Sequence, residues 1–141
     1  MSLYYADTSA VIKLLVEETD SRAFAAFYDA HDDAEWLSSA LLRVEVTRAV
    51  ARALPALLPE ARDLLLAFSY VATDDEIIEG AMNEADRGLR SLDAIHLATA
   101  RIFAPELDAI ATYDDRLIRA AAEAGLETVS PRDSSASEAK P

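Results

Sequence analysis

Short apolar runs alternate with longer segments of helical spacing along almost the whole chain, and this alternation restricts the fold more than any other feature. The runs fall at residues 3–6 (LYYA), 36–39, 70–73, 109–112 (AIAT) and 127–129. They are too short for helices and are bounded by polar or turn-forming residues, which favours buried strands. Between them, apolar residues recur every three or four positions: at 9–17, from Asp20 past Phe24, Phe27 and Tyr28, at 40–54, from Pro55 or Pro59 to about 68, from Asp74 onward, at 91–103 and at 117–124. Asp20 and Asp74 are expected to cap the helices that follow them. Pro105 should stop one helix, and Gly125 should close the last. Strands alternating with helices imply an α/β domain: a central, mostly parallel sheet covered on both faces, with right-handed crossovers.

A chain of 141 residues is the size of one domain, with 52% hydrophobic and 28% charged residues that suit a folded core. We place this domain at residues 1–130 and read the polar stretch 131–141 (PRDSSASEAKP) as a loose tail. No cysteine is present, so disulfides and thiolate metal sites are excluded. A secretory leader is not evident, and no apolar run approaches the roughly 18 residues of a membrane span. The expectation is a soluble, cytoplasmic protein. Its formal net charge of −13 argues against a general nucleic-acid-binding face. Any chemistry on a phosphate backbone must therefore use a local basic patch or bound cations. The same acidity suits a basic protein partner.

Acids stand where an α/β sheet performs chemistry, outside the carboxyl ends of its strands. In YYADTSAVIKLL, Asp7 follows the first strand directly, and Asp114 lies two residues beyond the AIAT strand. Taken singly, each has a plain explanation. Asp7, Thr8 and Ser9 can cap a helix, and so can Asp114 or Asp115. Arg116 and Arg119 can form ordinary surface pairs. Glu45 is less easily explained, because Leu41 and Ala49, one turn either side, put it on or beside an apolar face, although Arg48 could pair with it. Asp93 suits an early helical position, yet its own face continues through Leu97 and Ala100. A carboxylate turned toward a core is costly unless it is paired or binds metal.

Convergence of the four would supply a single reason for all of them. Neighbouring carboxylates raise one another's pKa unless cations neutralise them. Oxygen ligands without histidine or cysteine pairs select Mg²⁺ or Mn²⁺ over zinc. Of the two histidines, His31 sits in a polar loop, and His96 suits a core or supporting position better than a ligand. With no serine–histidine pair and no cysteine, activated water is the available nucleophile.

The segments YADTSAVIKLL, LLRVEVTRAVAR around Glu45, SLDAIHLATA around Asp93 and ATYDDRL around Asp114 together resemble a PIN domain, and most closely the VapC-type toxins of bacterial toxin–antitoxin pairs. The resemblance runs from Leu3 to about Val129. It implies a three-layer α/β/α sandwich with an acidic site of Asp7, Glu45, Asp93 and Asp114 holding Mg²⁺ or Mn²⁺. It also implies an endoribonuclease leaving 5′-phosphate and 3′-hydroxyl ends, a homodimer, and inhibition by a cognate VapB-type antitoxin. Thr8, Ser9 and Thr112 match positions that orient ligands or water in similar proteins. Asp115 could assist Asp114, which takes the family's position after Thr112. Arg87 and Arg90, before the Asp93 helix, are candidates for RNA backbone contact, with solvated loop arginines as the plain alternative. Phe24, Phe27 and Tyr28 could offer an apolar patch for dimerisation.

Two other functions fit parts of the pattern. A receiver-like signalling domain also gathers acids at strand ends and binds Mg²⁺, but it needs a lysine after a late strand, and only Lys13 and Lys140 exist. A non-catalytic scaffold would have no reason to keep four acids in mutual repulsion.

Overall fold

A computed structural model of the chain describes residues 1–134; the expected tail falls largely on 135–141, outside the described residues. Five strands are found among them: β1 (Leu3–Ala6), β2 (Glu35–Ser39), β3 (Ser69–Val71), β4 (Ala109–Ala111) and β5 (Thr128–Val129). Every pairing is parallel, and the spatial order is β3-β2-β1-β4-β5. The helices are α1 (Thr8–Lys13), α2 (Ser21–Ala30), α3 (Leu41–Ala53), α4 (Leu58–Leu65), α5 (Asp75–Met82), α6 (Ser91–Ile102) and α7 (Asp115–Glu123), with one 3₁₀ turn at Pro55–Leu57 ahead of α4. The expected α/β class, with a parallel sheet between helical layers, is the observed architecture.

Period-two alternation in the strands divides the core into two. Ala6, Trp36 and Ala111 face a cluster with Val11, Phe24, Leu42, Val46, Val50, Leu65 and Phe68, supplied by α1 to α4 and the segment just after α4. Tyr5, Leu37 and Ile110, one residue out of phase, face Leu97, Ala100, Leu117 and Ala121 from α6 and α7. The sheet is thus buried on both sides, as parallel sheets require. Trp36 anchors the first cluster: Tyr4 stacks on it at 5.0 Å, and Phe24 and Phe27 meet it edge-on. Phe24 is wholly buried, and Phe27 and Tyr28 pack against the same core. These aromatics therefore do not form the exposed patch expected of them. Large apolar side chains that do reach solvent include Val44, Leu66, Ile78 and Met82.

Two helix ends follow the local chemistry expected of them, and two others are exceptions. The Asp74 side chain caps α5 by accepting from Ile77 N at 3.0 Å. Gly125, at φ +80°, ends α7 in a Schellman turn, with Leu126 N bonded to Ala121 O and Gly125 N to Ala122 O. The first exception is α1, which ends at Lys13 rather than at Glu17. Leu14 and Leu15 donate to carbonyls three residues back, and Ser21 Oγ takes up the Val16 carbonyl at 2.7 Å. The second is α2. Asp20 stands at its N-cap with φ +69°, and its side chain makes no cap. Asp133 does so from 113 residues away, its Oδ2 accepting from Asp20 N at 2.8 Å and its Oδ1 from Ala23 N at 3.0 Å. Asp20 Oδ1 in turn accepts from Asp133 N, and Arg132 pairs with Asp20 Oδ2 at 3.1 Å. Tyr113 also donates its hydroxyl to Pro131 O at 2.6 Å, so the polar stretch that starts at Pro131 begins with three docked residues.

Candidate active site

Strand order reverses between β2 and β4 on either side of β1, and this places a topological switch point beside β1. Asp7 leaves the end of β1 there, and Asp114 follows the end of its neighbour β4. Glu45 comes from α3, which starts just after β2, and Asp93 from the first turn of α6. Four segments far apart in sequence thereby bring one acid each toward the same sheet edge.

Asp7, 2% exposed, is the most enclosed of the four. Its Oδ1 accepts from Ala10 N at 3.0 Å, the cap of α1, and from Ser9 Oγ at 2.7 Å; Oδ2 accepts from Thr112 Oγ1 at 2.7 Å. Ser9 Oγ also accepts from Tyr113 N at 2.8 Å, and Thr112 Oγ1 from Asp114 N at 3.1 Å. These hydroxyls couple the exits of β1 and β4, so the position of Asp114 is registered to that of Asp7. Burial pushes the Asp7 carboxyl up, against the opposing pull of His96 and of its own hydrogen bonds. Asp114 Oδ1 caps α7, accepting from Arg116 N and Leu117 N. Asp115 is exposed on the first turn of α7.

Glu45 Oε1 lies 2.8 Å from His96 Nε2, and His96 Nδ1 lies 2.6 Å from the Tyr5 hydroxyl. Burial alone would push the imidazole pKa down. The hydrogen bond to Glu45, with the charges of Asp7, Glu45 and Asp93, outweighs it, and the result is raised. Asp93 accepts no hydrogen bond among the described residues. Its carboxyl is pushed up to about 6, first by burial and then by the charges of Asp114, Asp7 and Glu45, in that order. A carboxylate that feels three other acids identifies a shared electrostatic site. Asp114, and not Asp115, is the largest charge acting on this carboxyl.

Three of the acids nevertheless keep a local task, Asp7 and Asp114 as caps and Glu45 as the partner of His96. Among the described residues no group of three or more His, Asp or Glu side chains is arranged to hold a metal ion as it stands. Bare anions repel one another, and caps hold them apart. The donor set still fits a hard dication: it is all carboxylate, and among the described residues neither Asp93 nor the buried Thr8 hydroxyl beside Asp7 has a hydrogen-bond partner. A cavity of about 350 Å³ between α5 and the start of α6 contains none of the four acids in its lining. It is walled mainly by apolar residues such as Ile78, Leu89 and Ile95, and it is not the acidic site.

Arg87 and Arg90 are exposed on the loop that leads into α6. Arg116 Nη1 reaches that loop at Gly88 O, 3.2 Å away, and so ties it to the start of α7 beside Asp114. Tyr5 and Arg116 were not foreseen as parts of the site. Tyr5 had a signal, since its strand position, one residue out of phase with Tyr4 and Ala6, turns it toward the Asp93 helix.

The PIN domain family profile matches residues 4–123. Ribonuclease VapC35 of Mycobacterium tuberculosis is 39% identical over 132 residues, covering 92% of this chain and 97% of its own. A toxin–antitoxin complex from Klebsiella pneumoniae superposes with a TM-score of 0.68 at 21% identity, covering 95% of this chain and 100% of its own. VapBC2 from Rickettsia felis, bound to a DNA fragment from its promoter, gives a TM-score of 0.67 at 12% identity, covering 90% of this chain and 97% of its own.

Proposed function

Because the chain belongs to the PIN-domain family, we propose that it is a divalent-metal-dependent endoribonuclease and the toxin of a toxin–antitoxin pair. The observation that carries this reading is the electrostatic meeting of Asp7, Glu45, Asp93 and Asp114 at the switch point of a parallel sheet. The names of the relatives, ribonucleases of the VapC type, support the same activity.

Mg²⁺ or Mn²⁺ would be held by these four carboxylates, supplying positive charge for the scissile phosphate and lowering the pKa of water toward neutrality. The protein's own groups prepare for this in three ways. Thr112 and Ser9 hold Asp7 in one orientation by hydrogen bonds to both of its oxygens. The cap to α7 keeps Asp114 Oδ1 turned to the helix, and its Oδ2 accepts no hydrogen bond among the described residues. Asp93 retains a proton up to about pH 6 in the absence of cation, so it must lose that proton before it can bind one.

RNA must reach this site against a net charge of −13. Arg87 and Arg90, with Arg116 behind them, form the basic rim that contacts the backbone. The acidic surface serves a second partner, a VapB-type antitoxin whose basic segment lies against the site; the solved complexes similar in fold are toxin–antitoxin assemblies. The working unit is a homodimer acting in the cytoplasm. No described helix is long and apolar enough to cross a membrane.

Incubating the full chain with structured RNA and Mg²⁺ or Mn²⁺ tests the reading. Cleavage lost on adding EDTA and on Asp7→Asn supports it, and cleavage that survives both refutes it. Labelling by acetyl phosphate would instead favour a receiver, although Lys13 is engaged with Thr19 O and Glu18.

A further inference from the structure

We propose that Tyr5 and His96 are positioning residues that fix the Glu45 carboxylate for the cation, through a buried chain running from the Ser39 amide. This rests on the metal-dependent reading above and adds to it the residues that orient one ligand.

Proton inventory gives the chain a direction. Ser39 N donates to the Tyr5 hydroxyl at 3.1 Å, which leaves the phenolic proton free to point to His96 Nδ1, 2.6 Å away, when the imidazole is neutral. With Nδ1 as acceptor, Nε2 carries the other proton and donates to Glu45 Oε1 at 2.8 Å. Tyr5 is fully buried and His96 is 2% exposed, so water does not compete along the chain. Tyr5 belongs to β1, the strand hydrogen-bonded on both sides by β2 and β4, and Ser39 closes β2. Glu45 Oε1 is thereby registered to the same sheet edge that carries Asp7. Oε2 accepts no hydrogen bond among the described residues and is left for a ligand.

A glutamate on a helix surface has three side-chain torsions, and holding it ready removes an entropic cost at binding. Groups hydrogen-bonded to metal ligands commonly contribute ten- to a hundredfold to affinity. A histidine kept only to fill the core would need the right shape but no particular partner for Nε2. The two roles differ in one respect: positioning acts through Glu45, and packing does not.

Mn²⁺ is the probe, its dissociation constant measured by electron paramagnetic resonance on the full chain, with side-chain ¹⁵N spectra of metal-free protein as a second readout. His96→Gln should weaken Mn²⁺ binding about tenfold or more, and Tyr5→Phe by a smaller factor. In a Glu45→Gln background, His96→Gln should add nothing. Without metal, Glu45→Gln should shift the His96 Nε2 resonance and Tyr5→Phe the Nδ1 resonance. Equal weakening by His96→Gln in both backgrounds, or ring resonances indifferent to both substitutions, overturns the proposal. Tyr5→Phe keeps the ring and its packing, so it decides the matter if His96→Gln does not fold. Should the unsubstituted chain bind no Mn²⁺, the cation reading falls, and the ring resonances alone decide whether the chain holds Glu45.

Discussion

Replacing Asp93 by asparagine should make the metal-free protein more stable while destroying its activity. The substitution keeps the shape of the side chain and removes its charge. In the folded protein the Asp93 carboxyl is raised to about 6 from an ordinary 3.8, by burial and then by Asp114, Asp7 and Glu45. A raised carboxylate pKa means that ionisation opposes folding. Below about pH 4 the group is protonated folded and unfolded and has no effect; the opposition grows as pH rises to about 6 and is complete above it. Taken at face value, a rise of two units corresponds to about 3 kcal/mol. Solvent screening of a partly exposed carboxylate, and the few tenths that the start of α6 returns to an anion, reduce this to about 1 kcal/mol. Urea unfolding in EDTA should therefore show Asp93→Asn more stable by about 1 kcal/mol at pH 7.5 and equal to the parent near pH 4. Saturating Mg²⁺ should reverse the order, because only the parent gains binding energy. RNA cleavage should fall at least about a hundredfold. An asparagine variant no more stable at pH 7.5, or a difference independent of pH, would refute the electrostatic argument.

Other perturbations separate the scaffold from the site. Asp133→Ala removes the side-chain cap of α2 and should lower stability by about 1 kcal/mol in urea, although the residue is distant in sequence from the helix it caps. Gly125→Ala meets no atom within 4 Å but must adopt φ +80°, so its cost of about 1 kcal/mol is purely one of backbone conformation and should appear as a lower Tm with unchanged cleavage. Arg87→Ala with Arg90→Ala should weaken single-stranded RNA binding and reduce the slope of log K against log salt by about 1.4, the value for two lost phosphate contacts; an unchanged slope would remove them from the interface.

Sequence patterning revealed the sheet because each strand is an apolar run and each crossover has helical spacing, both of which are local signals. Boundaries were less legible. The chain 14–16 looks helical by its leucines, but Ser21 captures the Val16 carbonyl and closes a turn, a contact that spacing does not encode. The placement of Asp7 and Asp114 was legible because they follow strand ends, and Glu45 and Asp93 drew notice as carboxylates on helix faces that are otherwise apolar. Long-range partners were not. Asp133 reaches α2 across 113 positions, and the Tyr5–His96–Glu45 chain spans separations of 91 and 51 residues, which depend on strand register and helix rotation together. Capping also misled in an instructive way: for Asp7 and Asp114 the plain explanation is observed, and it does not compete with the proposed site role. An aspartate can hold a helix with one oxygen and present the other.

Anomalous diffraction from crystals soaked in Mn²⁺ tests the central claim most directly. The account predicts a strong peak bounded by Asp7, Glu45, Asp93 and Asp114, with Asp7 and Asp114 still bonded to their helices. A peak bound elsewhere, or none at millimolar Mn²⁺ with the four carboxyls unmoved, would contradict it.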